Sequence, residues 1–240
     1  MSASPATNRR TAAIVGVLYI IGTLTGVLSV IFTGPILGDP NYLAKVSENQ
    51  GQLVIAALLV LTMCLSLAMV PVFLFPILKK VNEVVALGYL VFRGALETVA
   101  AAATVISWLF LLVISREYAA AGTQAAAGWQ GLGAVLLKGG DPLGAVAGII
   151  FCLGALMLYY VFYRSQLIPR WISVWGIVAI LLNFSTCILI LFGLQSSFSA
   201  ANSVMNFPIL LQEMVMAVWL IVKGFDFAPV MPISMQTAVS

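Results

Sequence analysis

The sequence predicts an all-α membrane protein: a bundle of six transmembrane helices with both chain ends in the cytoplasm. Three observations lead there. Of the 240 residues, 62% are hydrophobic and only 8% are charged, where soluble domains run at about a quarter charged. The apolar residues fall into six runs, each long enough to cross a hydrocarbon core that needs about 20 residues. The Lys and Arg residues between the runs are unevenly shared between the two sides.

The first run, 11–32, follows Arg9 and Arg10 after a polar tail, 1–10. Signal peptides share that basic start, but their apolar region is only about 7–15 residues long. This run is longer and ends in Thr33-Gly34-Pro35, so it reads as an uncleaved helix. A polar loop with Asp39, Pro40, Lys45 and Glu48 is expected next. The second run, 53–78, carries Pro71 and Pro76, which should loosen its last turns. Charged residues in 79–83 make a turn before the third run, 84–114. Segment 115–142 is rich in Ala and Gly, with Trp129, Leu132, Leu136 and Leu137 at near-helical spacing; an interfacial helix and a loop both fit it. The fourth, fifth and sixth runs cover 143–162, 171–192 and 204–222 of a membrane domain spanning 11–226, and 227–240 form a short tail.

Orientation follows from the positive-inside bias. Arg9, Arg10, Lys79, Lys80, Arg164, Arg170 and Lys223 share one side, against Lys45, Arg116 and Lys138 on the other. The richer side holds both termini and should be cytoplasmic.

Composition also narrows the chemistry. The chain has no histidine, which removes the commonest general base and metal ligand. Cys64, Cys152 and Cys187 lie far apart in apolar runs and match no metal or disulfide spacing. No cofactor is implied, and a formal charge of +3 from scattered basic residues gives no footprint for nucleic acid. The expected partners are the lipid bilayer and a small-molecule or proton ligand. Gly22/Gly26 and Gly144/Gly148 have the small-xxx-small spacing of closely packed helices. Tyr159, Tyr160, Tyr163, Trp171 and Trp175 read as an aromatic belt at the interface.

Ionised side chains at a helix centre cost about 2.5–3.5 kcal/mol on insertion scales, so those present mark a candidate site. Arg93 and Glu97 interrupt the third run and Glu213 the sixth, with Asn183 and Gln212 as uncharged companions. At 1.5 Å per residue, Arg93 and Glu213 lie about 15 Å from the charged turns and Asn183 about 18 Å. Glu97 follows one turn beyond Arg93 on the same face. Arg93 is therefore expected to pair with Glu213, with Asn183 nearby and Glu97 taking a smaller share. One guanidinium facing two carboxylates leaves an excess negative charge, so one carboxyl should hold a proton, and Glu97 is the candidate. The cluster reads as a ligand or proton site, or as a lock between helices. No catalytic Ser-Lys, Ser-His or paired-aspartate pattern stands at membrane depth, which disfavours an intramembrane enzyme acting on lipids.

Asn82-Glu83, Ala86-Leu87-Gly88-Tyr89, Phe92-Arg93 and Glu97 resemble a bacterial membrane-protein family catalogued as domain of unknown function 4386. So do Pro169–Gly176, Glu213-Met214-Val215 and the stretch Ala217–Phe225. The likeness runs from Tyr42 to Phe225 and takes in Arg93, Glu97 and Glu213. It implies a multi-pass protein of the bacterial inner membrane and brings no activity with it.

The orientation has a direct test. Cysteines replacing Lys45 and Lys138 should react with an impermeant thiol reagent added outside intact cells. Protection of both, with full labelling after permeabilisation, would invert the topology.

Overall fold

The computed structural model describes residues 5–121, 123–197 and 199–227. All regular structure among them is helical: α1 (Pro5–Leu37), α2 (Tyr42–Glu48), α3 (Gln50–Leu78), α4 (Glu83–Tyr89), a π-helical segment (Leu90–Leu96), α5 (Glu97–Ala120), α6 (Thr123–Ser165), α7 (Arg170–Leu191) and α8 (Ala200–Val222). Because α4, the π segment and α5 run on without a break, six helical stretches are long and apolar enough to cross a membrane. With no water in lipid to satisfy backbone groups, helices that bond internally are the open-chain solution.

The spans form a closed ring. Each packs against its neighbours in sequence, and the sixth, α8, returns to the first, α1. Both ends of the described chain lie on one face, called here the chain-end face: Arg9 donates to the carbonyl of Val222, and the amide of Asp226 donates to Leu167 O in the α6–α7 turn. Residues Leu78, Tyr89, Leu158, Phe162, Ile172, Met216 and Leu220 belong to one buried cluster at that end of the ring.

Glycines set the closest approaches. A Cβ at Gly16 would stand 2.6 Å from the carbonyl oxygen of Ala217, which brings α1 and α8 into backbone contact near the chain-end face. Three of the four expected glycines also lie at helix contacts: Gly22 and Gly26 receive Leu67 and Met63 of α3, and Gly148 receives the sulfur of Cys187 on α7, whereas Gly144 meets only Ser197 in the turn before α8. Lipid supplies no hydrophobic drive for helices to associate, so close van der Waals fit of this kind carries the packing.

Three expectations are corrected. The loop expected after the first run contains α2, because Leu43 and Val46 bury themselves against Ile36, Leu53, Leu111 and Leu112. Segment 115–142 is neither a loop nor a separate interfacial helix. α5 continues to Ala120, and from Thr123 the chain is already α6, whose 43 residues carry Pro142 inside. At 1.5 Å per residue its 43 residues make about 65 Å of helix, roughly twice what a core about 30 Å thick needs. In the first half of α6 Gly133 receives the hydroxyl oxygen of Tyr42, and desolvation by its neighbours pushes that phenol above its ordinary pKa. Within the aromatic set, Trp171, Tyr160 and Tyr163 are exposed, but Tyr159 is 1% exposed and points into the ring. The expected C-terminal tail, from residue 228 onward, lies outside the described residues.

The contact at Gly16 gives a stability prediction. Gly16→Val should lower stability by about 1–3 kcal/mol, the usual cost of overpacking, because a backbone carbonyl cannot swing aside. Thermal unfolding in detergent would measure it, with Gly51→Val, which meets no atom within 4 Å, as the neutral control.

Candidate functional site

The π-helical segment Leu90–Leu96 lies in the first half of the span Glu83–Ala120 and holds Arg93. Its wider turn is visible where the amide of Glu97 reaches back to the carbonyl of Phe92, five residues earlier. Such segments are rare and recur at functional positions. Two neighbours fit the bulge: Gly94 lies against the ring of Pro71, and a Cβ at Gly154 would come within 3.2 Å of the Arg93 amide. The absence of a side chain at Gly154 thus lets α6 press against the backbone that carries the arginine.

Arg93 is 3% exposed, and its charge is met from two helices. Nη1 donates to both carboxylate oxygens of Glu97 at 2.9 Å. Nη2 donates to Oε1 of Glu213 on α8 at 3.4 Å. The guanidinium carbon lies 4.6 Å from the centre of the Phe151 ring, over its face, an arrangement that favours a cation. One positive charge thus faces two carboxyl groups inside the bundle.

The site continues in two directions. Towards the chain-end face, the hydroxyls of Tyr19 and Tyr89 pair at 3.3 Å. Tyr159 donates to Gln212 Oε1 at 2.7 Å, and Gln212 Nε2 donates to Ile172 O at 3.1 Å. All four side chains are buried and form a plug of satisfied polar groups. Towards the opposite face, Cys152 donates to Asn183 Oδ1 at 2.9 Å. The Asn183 amide donates to Asn206, whose own amide donates to Asn202.

Between these layers, α1 and α8 part. They touch at Gly16 and Ala217, then leave a cavity of about 670 Å³ that reaches Arg93, Glu97 and Glu213. Its apolar wall includes Val27, Val30, Ile31 and Phe207, which are exposed along the outside of the ring. Its far lip carries Ser197, Asn202, Ser203 and Asn206. The hydroxyl of Thr23, which lines the cavity, is buried and has no hydrogen-bond partner among the described residues. The space is a crevice in the α1–α8 seam with a charged floor.

Arg93 and Glu213 stand together as their equal depth suggests. The sharing differs from expectation: Glu97, not Glu213, makes the shorter and two-pronged contact. Residues four apart on a helix share a face, and the long arginine side chain spans the rise between them. Asn183 does not join the ion cluster. It lies about a turn further from the chain-end face, counted along α7, and its amide is spent on Cys152 and Asn206. Sequence reasoning missed Thr23, Phe151 and the three tyrosines. Tyr159 pointing inward had one available signal: it lies seven residues, about two turns, beyond Cys152 and so shares the inward face. Among the described residues no three metal-ligating side chains come together.

A ring of six membrane-length helices around a buried guanidinium–carboxylate cluster defines a polytopic helical membrane protein. The sequence profile of a family described as a domain of unknown function (DUF4386) matches residues 14–224, and the chain belongs to that family. No curated protein and no solved structure matches it.

Arg93→Ala should destabilise the fold by about 3–5 kcal/mol, since it strands buried carboxylates. Glu97→Gln keeps the shape and leaves Glu213 to meet the guanidinium, so it should cost clearly less. Unfolding of the two variants in the same detergent, followed by circular dichroism, would rank them; equal losses would make Glu97 a structural partner only.

Proposed function

We propose that this protein is a membrane-embedded ligand-binding protein of the small-transporter kind, and that the crevice between α1 and α8 is its binding site. It would sit in the bacterial inner membrane with both termini cytoplasmic, as the Lys and Arg distribution suggests, so that the crevice faces the outside. The observation that carries the reading is the reach of the cavity to the ion cluster. A cluster serving only as a lock gains by being sealed, because its attraction is strongest away from water. Here Glu97 and Glu213 keep 19% and 12% of their side-chain surface accessible while Arg93 keeps 3%.

Size and lining support the same reading. Ligand pockets run from about 300 to 1,000 Å³, mostly apolar with a few convergent polar groups. The crevice fits that description: aliphatic walls, a charged floor and the polar lip of Ser197, Asn202, Ser203 and Asn206. The contact at Gly16 and the tyrosine plug close the chain-end side. Moving a ligand across would require this seam to close outside and open at Gly16, a rocking of helices about a midplane site that transporters commonly use.

Thr23→Cys tests the site, because Thr23 is half-buried and lines the cavity, so a thiol there can turn into the crevice where the threonine hydroxyl does not. In a chain whose native cysteines are replaced by alanine, it should react in the folded state with a small water-soluble methanethiosulfonate. Reaction only after denaturation would mean that the crevice is closed and that the charges serve packing alone.

A further inference from the structure

We infer that the crevice takes an organic cation with an apolar body, and that the cation enters in exchange for one proton. This deepens the reading of the crevice as a binding site and rests on it.

The argument begins with charge. Arg93 is matched by Glu97 at 2.9 Å and by Glu213 at 3.4 Å, so with both carboxyls ionised the floor carries one negative charge in excess. Among the described residues no second cation pairs with either carboxyl. The other titratable groups coupled to the cluster are neutral in their ordinary forms: Tyr19 from α1, Cys64 from α3, Tyr89 from α4, and Cys152 and Tyr159 from α6. An uncompensated charge in low dielectric is costly. It is removed in one of two ways: a proton on a carboxyl, or a cation brought by the ligand. The two are alternatives, because both together would leave the floor with one positive charge in excess.

Geometry selects where the cation sits. The guanidinium is buried and turned to Phe151, whereas the accessible surface of the cluster belongs to the two carboxyls. An incoming group therefore meets carboxylate oxygen before it meets arginine. An anion would find the acids in front and the arginine spent. The walls, Val27, Val30, Ile31 and Phe207, suit hydrocarbon or aromatic surface. A compact inorganic cation would leave that wall empty and would lose its water for few ligands. In the exchange, a carboxylic O–H gives its proton to water as the cation enters, and no bond within the ligand changes.

Tetraphenylphosphonium and tetraphenylborate, which share one shape with opposite charge, make the test. Purified protein in lipid nanodiscs should bind the phosphonium saturably and more tightly than the borate by about tenfold or more, which corresponds to 1.4 kcal/mol. Titration in weak buffer should show about one proton released per cation at the acidic end of the binding range. Affinity should rise with pH and then level off once the cluster has lost its proton. Glu97→Gln and Glu213→Gln should each weaken the phosphonium by about tenfold or more and abolish proton release without weakening the borate, which loses a repelling carboxylate; a melt in the same nanodiscs confirms that each is folded. If Thr23→Cys reacts but the borate binds as well as the phosphonium, the crevice is a site and the cation assignment is wrong. If the phosphonium binds without releasing protons, the exchange is wrong. If neither ion binds and Thr23→Cys is also silent, the binding-site reading falls with it.

Discussion

A guanidinium at the centre of a lipid-embedded bundle must keep its charge met, and that requirement organises the interior of this protein. Arg93 draws one carboxylate from its own span and one from α8, which ties the third span to the sixth across the ring. The π-helical segment, the bare flank of Gly154 and the ring of Phe151 are arranged around the same side chain. Each reduces a different cost: backbone placement, close packing of α6, and desolvation of the cation.

The layers above and below follow from the same constraint. A polar side chain left unpaired in hydrocarbon is costly, and around the cluster such groups occur in pairs or chains: Tyr19 with Tyr89, Tyr159 with Gln212, Asn183 with Cys152 and Asn206. Thr23 is one departure among the described residues, and it lies where α1 and α8 part. The seam between first and last span is thus tight at one end and open at the other. Tightness comes from Gly16 meeting a backbone carbonyl; openness comes from side chains on the two helices that face lipid rather than each other.

Much of the fold was legible because lipid is a demanding solvent. Six apolar stretches had to be helices, and Arg93, Glu97 and Glu213 had to turn inward, since outward they would face hydrocarbon. The pairing of Arg93 with Glu213 followed from equal depth. What stayed hidden were matters of detail within helices. Nothing in Leu90–Leu96 distinguishes a π turn from an α turn, because both satisfy the backbone. The course of residues 123–142 was obscured by Ala and Gly, which fit helix or loop until α2 and α5 pack beside them. Asn183 was misplaced because depth alone does not say which neighbour an amide will meet.

The sequence by itself determined the class of protein, the number of spans and the identity of the charged residues, because burial cost in a bilayer acts residue by residue. Only the tertiary structure decided who shares the arginine and where the cavity lies. Those depend on the distances between helices that are far apart in the chain. Arg93 and Glu213 are separated by 120 residues, and the crevice exists only because α1 and α8, from opposite ends of the sequence, close the ring against each other at one end and stand apart at the other.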